Sequence, residues 1–398
     1  MTESSAVPLH MRRLEFDPAP ELGEVRDQER IKRIDTLLGL EAWVVTRYAD
    51  VREVLGDADR FRLARQGSAR MPGAPELTEE QLAELRAGNL LGQDPPEHTR
   101  LRRMLTPEFT IRRMKRLEPR IRDIVHEHLD AMEAAGSPAD LVSSFALPIP
   151  SLVICELLGV PYEDRADFQR RSGRMLDLSL PVEERVAANF ESRAYMRELV
   201  TRMRTDPGED LLGMLIREHG DDLTTSELVG IGNLLLLAGH ETTSNMLSLG
   251  TLALLRNPGQ LELLRKEPER IDATVEELLR WLSIVHSGTI KITSREVELA
   301  GRTIGAGEMI LCSLPAANRD PGFIADPDTL DITRGAPGHV AFGHGVHHCL
   351  GAPLARMEMK IAFPALFERF PGLRPTGSTP EFRSFNVVYG LTELEVAW

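Results

Sequence analysis

The chain has 398 residues, 42% of them apolar and three of them cysteine, with a formal net charge of −14. The apolar share is ample for a large core, and the acidic balance opposes non-specific binding to nucleic acid. Three irregularly spaced cysteines exclude a disulfide framework and point to a reducing compartment.

The first seventeen residues are polar and broken by Pro8, so they read as neither a signal peptide nor a membrane anchor, and the protein as cytosolic and soluble. No linker, repeat or low-complexity tract divides the chain, which reads as a single domain over 1–398. Residues 43–46 predict a short strand, followed by a helix over 49–55 that ends at Gly56. Residues 62–93 carry glycines, prolines and one short helical pattern at 78–86, the signature of a long mobile loop. From 95 to 132 helical periodicity dominates, with interruptions predicted at Pro107 and Pro119, and further helices cover 148–158 and 162–204. Val297–Leu299 and Arg302–Ile304 predict a hairpin turning at Ala300-Gly301. Residues 309–313 continue the sheet, and 385–388 with 393–397 complete the strands. The sum is mainly α with a minor, segregated sheet, an α+β layout.

The longest element starts at Thr224, which forms a capping-box pattern with Glu227, and stops at Asn257-Pro258. It spans roughly 32 residues, or about 48 Å, far above the usual helix length. A membrane span fails because Gly239-His240-Glu241-Thr242-Thr243-Ser244-Asn245 lies at its centre, where charge is costly in lipid. His240-Glu241 also opens a zinc-protease HExxH pattern, but residue 244 is Ser. A threonine hydroxyl bonds the carbonyl four residues back, so Thr242 is predicted to reach Ala238 and loosen the helix into a notch. The bland reading is a polar patch facing a buried water.

Ten residues near the C-terminus are the most specific: Phe342-Gly343-His344-Gly345-Val346-His347-His348-Cys349-Leu350-Gly351. The glycines let the backbone turn tightly or approach something flat. A helix predicted over 352–370 would direct its first amides at the Cys349 sulfur and favour its thiolate. A thiolate with one free face suits a haem iron that splits oxygen. Two plainer readings are a buried structural cysteine and a zinc site drawn from His344, His347, His348 and Cys349. Structural zinc usually takes two separated ligand pairs, and Cys155 and Cys312 lie in apolar runs.

The spacing of Phe342, Gly345, His347, Cys349 and Gly351 resembles the haem-binding signature of the cytochrome P450 family. Ala238-Gly239-His240-Glu241-Thr242-Thr243 resembles that family's oxygen-activation motif. The resemblance to the family covers about 40–398, and in the C-terminal half, with Ala341–Glu358 and Tyr389-Gly390-Leu391, the chain is similar to soluble actinobacterial members. The resemblance implies a triangular, α-rich fold with a small β region, and haem b between the 224–256 helix and the 342–351 loop. It implies Cys349 as axial ligand of the iron, with Ala238, Phe342 and Gly351 against the haem, Thr242 steadying oxygen and Glu241 in the proton relay. His98, Arg102 and His347 are implied propionate contacts. Lys291 stands where many relatives carry a propionate-binding arginine, supplying charge but no bidentate fork. Glu277 and Arg280, which at i, i+3 would ordinarily be a surface ion pair, are implied to lock to Arg334.

The implied activity is NAD(P)H- and O2-dependent monooxygenation, a hydroxylation or epoxidation in secondary metabolism. The implied substrate is a lipophilic macrolide, terpenoid or steroid-like compound. The pocket would draw on residues 90–91, 165–195, 234–238, 286–290 and 387–388. No flavin or iron–sulfur segment is present, so electrons are expected from a separate ferredoxin and ferredoxin reductase. Arg100, Arg102, Arg103, Arg112, Arg113, Lys115 and Arg116 are seven basic residues in seventeen, opposed only by Glu108. They suit an acidic partner; the plainer reading is a solvated helix face. A haem-binding sensor or carrier without turnover is the alternative from another class, and Glu241 with Thr242 weighs against it, since a sensor needs no proton relay.

Overall fold

The computed structural model describes residues 7–36, 39–63, 75–377 and 379–398. Residues 64–74 of the predicted mobile loop lie outside these. The chain forms two compact units, each assembled from discontinuous segments. One is drawn from Met1–Pro72, Asn257–Cys349 and Phe382–Gly390, the other from Gly73–Arg256, Leu350–Glu381 and Leu391–Trp398.

The second unit is helical and organised around the central helix Thr225–Arg256. Its start is the predicted capping box: the Thr224 hydroxyl accepts the Glu227 N–H at 3.2 Å and the Glu227 carboxylate accepts the Thr224 N–H at 2.8 Å. Leu228, Ile231, Leu235, Met246, Leu249 and Leu252 are all buried, so the helix is enclosed on most sides rather than amphipathic. It packs on Pro148–Leu158, Val182–Thr205 and Ala352–Arg369. Gly239 allows the close approach to Pro148–Leu158, since a Cβ there would lie 2.8 Å from Ile154.

The helix Ile111–Ala135 runs straight through Pro119, where an interruption was predicted. Proline removes one backbone bond there, but Met114 before it and Ile121, Ile124, Val125 and Leu129 after it form one continuous buried stripe. The interruption at Pro107 is real, as a 3-10 turn over Thr106–Phe109. A small sheet joins Arg374–Pro375, Glu395–Ala397 and Ala139–Asp140.

The first unit holds a five-stranded sheet in the order Ile31–Asp35, Glu41–Val45, Met309–Cys312, Thr289–Thr293, Phe61–Leu63. Met309–Cys312 lies parallel to Glu41–Val45, with Ile310 opposite Trp43, and antiparallel to Thr289–Thr293. Ile31, Val45, Phe61, Ile310 and Cys312 build its core. The predicted hairpin forms a separate two-stranded sheet, with Ala300 and Gly301 both at positive φ, as a tight primed turn requires. Residues 385–388 form no strand. Only Val388 pairs, in an isolated bridge to Val285, because the Asn386 side chain takes the Val388 N–H at 3.1 Å and turns the chain. Among the described residues no helix is long and apolar enough to cross a membrane.

Candidate active site

The cysteine loop belongs to the first unit and is shaped by its own backbone. The Gly343 N–H donates to Val340 O at 2.8 Å, and the Cys349 N–H donates to Phe342 O at 2.9 Å, closing the loop over a short 3-10 turn at Gly345–His347. Gly345 has φ +72°, and a side chain there would collide with the Leu55 carbonyl oxygen, so only glycine fits. Cys349 is exposed, whereas Cys155 and Cys312 are buried and their thiols are pushed up to about 12 by burial. Gly351 then caps the helix Ala352–Arg369. Among the described residues no three His, Cys, Asp or Glu side chains form a metal-holding group, which leaves the zinc reading without its ligand set.

The base of the loop is pinned by a buried network. Arg280 and Glu277, both fully buried, make a bidentate pair at 2.7 and 2.8 Å. The Arg280 guanidinium also donates to the carbonyls of Asn318 (2.9 Å) and Pro327 (2.7 Å). The Asn318 side-chain oxygen in turn accepts the Val340 N–H at 2.8 Å, two residues before Phe342. The expected lock of this pair onto Arg334 is not direct. Arg334 closes a turn with Asp331, so its guanidinium falls on that residue's carboxylate (3.4 Å) and on Ala325 O (2.6 Å). Glu277 instead accepts the Asp331 N–H at 3.0 Å. His339 Nε2 lies 3.3 Å from a carboxylate oxygen of Glu276. Lys291 is buried mid-strand, between Ile310 and Leu63.

In the second unit, the Thr242 hydroxyl donates to Ala238 O at 2.7 Å, as predicted, while the helix continues unbroken. Ala238 is exposed, with buried Leu236 and His240 on either side of it in sequence. Glu241 is buried, and its Oε1 lies 3.9 Å from His240 Nδ1. Asn245 donates to Glu241 O at 2.7 Å. The His240 ring meets Phe168 edge-on at 5.1 Å. His98 is buried and Arg102 half-buried on the helix Glu97–Leu105, four residues apart and therefore on one face. Glu358, on the helix after Cys349, is fully buried, its Oε2 meets no hydrogen-bond partner, and burial raises its carboxyl well above the usual range.

Asn318, His339 and Glu358 carry no local signal by which sequence reasoning finds them. Within the first unit, one soft, exposed sulfur in a glycine-shaped loop is of the kind that ligates a haem iron, and the buried Lys291 is a cationic group of the kind that meets carboxylates; within the second, the buried His98 and half-buried Arg102 are an imidazole and a cation of that kind.

A family model described as Cytochrome P450 matches residues 184–392. The chain is 48% identical to Cytochrome P450 FAS1 of Rhodococcoides fascians, an alignment covering 100% of both chains. It is 41% identical over 385 residues, 94% of each chain, to mycinamicin IV hydroxylase/epoxidase of Micromonospora griseorubida. The solved structure of CYP105P1 in complex with filipin I matches at TM-score 0.90 and 40% identity, over 97% of each chain. The chain belongs to the cytochrome P450 family. It has that family's mainly α fold and its haem-iron, oxygen-using monooxygenase chemistry.

Proposed function

We propose that residues 1–398 act as one catalytic domain that holds haem b through Cys349 and hydroxylates or epoxidises a lipophilic natural product of macrolide, terpenoid or steroid type. Neither compact unit is a continuous stretch of chain, which supports a single working domain. The observation that carries the reading is the exposed Cys349 in its closed loop, beside two cysteines that are buried and inert.

His98, Arg102, His347 and Lys291 are assigned to the haem propionates, and Phe342, Gly351 and Ala238 to its faces. Bound haem supplies activation of O2, and the thiolate ligand is what favours cleavage of the O–O bond. The Thr242 hydroxyl, held on Ala238 O, presents its lone pairs away from the helix and steadies a water or reacting oxygen. The Glu241 carboxylate, beside His240 and Asn245, moves protons inward to that point. Glu277, Arg280 and Asn318 position the loop base.

Electrons come from NAD(P)H through a cytosolic reductase and ferredoxin. Arg103, Arg112, Lys115 and Arg116 are exposed around Ile111, which is itself 68% exposed, and they suit an acidic partner. Arg100 and Arg113 contribute less, being paired with Glu97 and Glu108. Spectral titration of the haem against a library of macrolides, terpenoids and steroids tests the substrate class. A shift for one class identifies it, and no shift for any of them refutes this reading.

A further inference from the structure

Polar side chains of the central helix Thr225–Arg256 bond back to its own carbonyls. Thr242 donates to Ala238 O at 2.7 Å, Asn245 to Glu241 O at 2.7 Å, Ser248 to Asn245 O at 3.2 Å, and Thr251 to Leu247 O at 2.8 Å. Serine or threonine suffices for such a bond, since one hydroxyl hydrogen makes it. Asn245 differs. Its amide brings a second hydrogen to a place only 1% exposed, where each polar group needs a partner. That hydrogen has Glu241 Oε2 as its acceptor, 3.5 Å from the amide nitrogen.

The position of Asn245 gives this contact a direction. Glu241 is buried, and its carboxylate lies between the Asn245 amide at Oε2 and His240 Nδ1, which is 3.9 Å from Oε1. Successive helical residues project about 100° apart, so His240, two before Thr242, stands on the far side of the helix from that hydroxyl. Asn245, three after Thr242 and four after Glu241, stands beside both. Of these two contacts, the one with Asn245 draws the carboxylate toward Thr242 and the one with His240 draws it away. At 3.5 Å the amide bond is long, so it aims the carboxylate without clamping it.

We propose that Asn245 is a positioning residue for the proton relay: its second amide hydrogen holds the Glu241 carboxylate on the Thr242 side of the helix. The proton then has a short path from that carboxylate to a water or oxygen at the Thr242 hydroxyl. This deepens the monooxygenase reading and rests on the relay roles given above to Glu241 and Thr242.

Asn245→Thr separates the two bonds, because threonine keeps the bond to the carbonyl, as Thr242 and Thr251 do, and loses the contact with Oε2. The haem-loaded protein is assayed by peroxide-driven oxidation of guaiacol, which needs neither ferredoxin nor the natural substrate, in wild type, Glu241→Gln, Asn245→Thr and the double variant. Asn245→Thr is expected to lower kcat about three- to tenfold, less than the ~10²–10⁴ of a lost acid–base group, with the KM for peroxide unchanged. In the Glu241→Gln background the same change has no further effect. A second readout needs no turnover. In the reduced, carbon monoxide-bound protein the carboxylate carbon resonance of Glu241, identified by its loss in Glu241→Gln, shifts in Asn245→Thr. Asn245→Ser, with the same hydroxyl, decides the question if Asn245→Thr does not fold. Wild-type kcat in the hydroxyl variant, equal losses with and without Glu241, or an unmoved resonance overturns the proposal and leaves Asn245 a backbone partner of Glu241. Wild-type kcat in Glu241→Gln overturns the relay reading itself, and this proposal with it.

Discussion

The Thr242 hydroxyl donates to the Ala238 carbonyl at 2.7 Å, one turn back along a 32-residue helix that stays unbroken at this point. The bond orients the oxygen atom without consuming its lone pairs, so its acceptor side stays available. Thr242→Ala removes that acceptor and leaves haem binding and reduction intact. The variant is predicted to keep consuming NAD(P)H while releasing reduced oxygen as peroxide, with less product per electron pair. Glu241→Gln instead slows the whole cycle, because it restricts proton supply. Product, peroxide and NAD(P)H counted together check both. Wild-type coupling in Thr242→Ala would reduce the residue to a structural role.

Charge reversal on the basic helix separates docking from catalysis. Arg112 and Arg116 are exposed, whereas Arg113 is engaged with Glu108 at 2.9 Å, so reversing Arg113 would also break an internal pair. Arg112→Glu with Arg116→Glu is predicted to slow electron transfer from ferredoxin at low salt and to leave substrate affinity unchanged. Stopped-flow reduction across a salt series measures this, and unchanged rates at low salt would move the docking site elsewhere.

Arg280 and Glu277 are both fully buried, and Arg280 also holds the carbonyl of Asn318 under the cysteine loop. Arg280→Leu takes the guanidinium away from the buried Glu277 carboxylate, which keeps the Asp331 N–H, and from the carbonyls of Asn318, Pro327 and Thr329. The expected loss is about 3–5 kcal/mol in denaturant unfolding, the scale for breaking a buried pair. Haem retention should fall in parallel, and a variant as stable as wild type would contradict the anchoring role.

His286 sets an acid limit on stability. Burial, and then the nearby Arg13, hold its imidazole down to about 3, and its ring nitrogens face Asn386 O at 2.7 Å and Met11 O at 3.1 Å. Tyr389 lies against the ring, and His10, itself held to about 4 by burial, acts in the same direction. Between the unfolded value of ~6.5 and about 3, the unfolded chain binds a proton that the folded one refuses. Stability therefore falls as pH drops through that window, by ~1.4 kcal/mol per pH unit for one such group, with no contribution above it. Urea midpoints from pH 7 to pH 5 should fall less steeply in His286→Gln. An identical slope would contradict the assignment.

The elements legible in the sequence are those whose cause is local. Thr224 with Glu227, the Ala300-Gly301 turn, Thr242 with Ala238 and the Cys349 loop each follow from a cap, a glycine or an i, i+4 spacing. What escaped depends on distant partners. Phe61 pairs with Thr293, and the three-residue strand Phe61–Leu63 has no pattern of its own, although the β-branched run Thr289–Thr293 does carry a local strand signal. The Asn318 link to Val340 and the partnerless Glu358 are visible only once the chain is folded. At Arg334 a local turn to Asp331 overrode the longer-range lock that the family resemblance implied. Pro119 erred the other way, its local rule yielding to a buried stripe on either side.

The central claim is that the exposed sulfur of Cys349 is the axial ligand of the haem iron. The most direct measurement is the absorption spectrum of the purified, haem-loaded protein, reduced and placed under carbon monoxide, for wild type and Cys349→His. Wild type is predicted to show the strongly red-shifted Soret band of a thiolate-ligated haem, and Cys349→His to lose it while still binding haem. A wild-type spectrum of histidine type, or an unchanged red-shifted band in Cys349→His, would contradict the account.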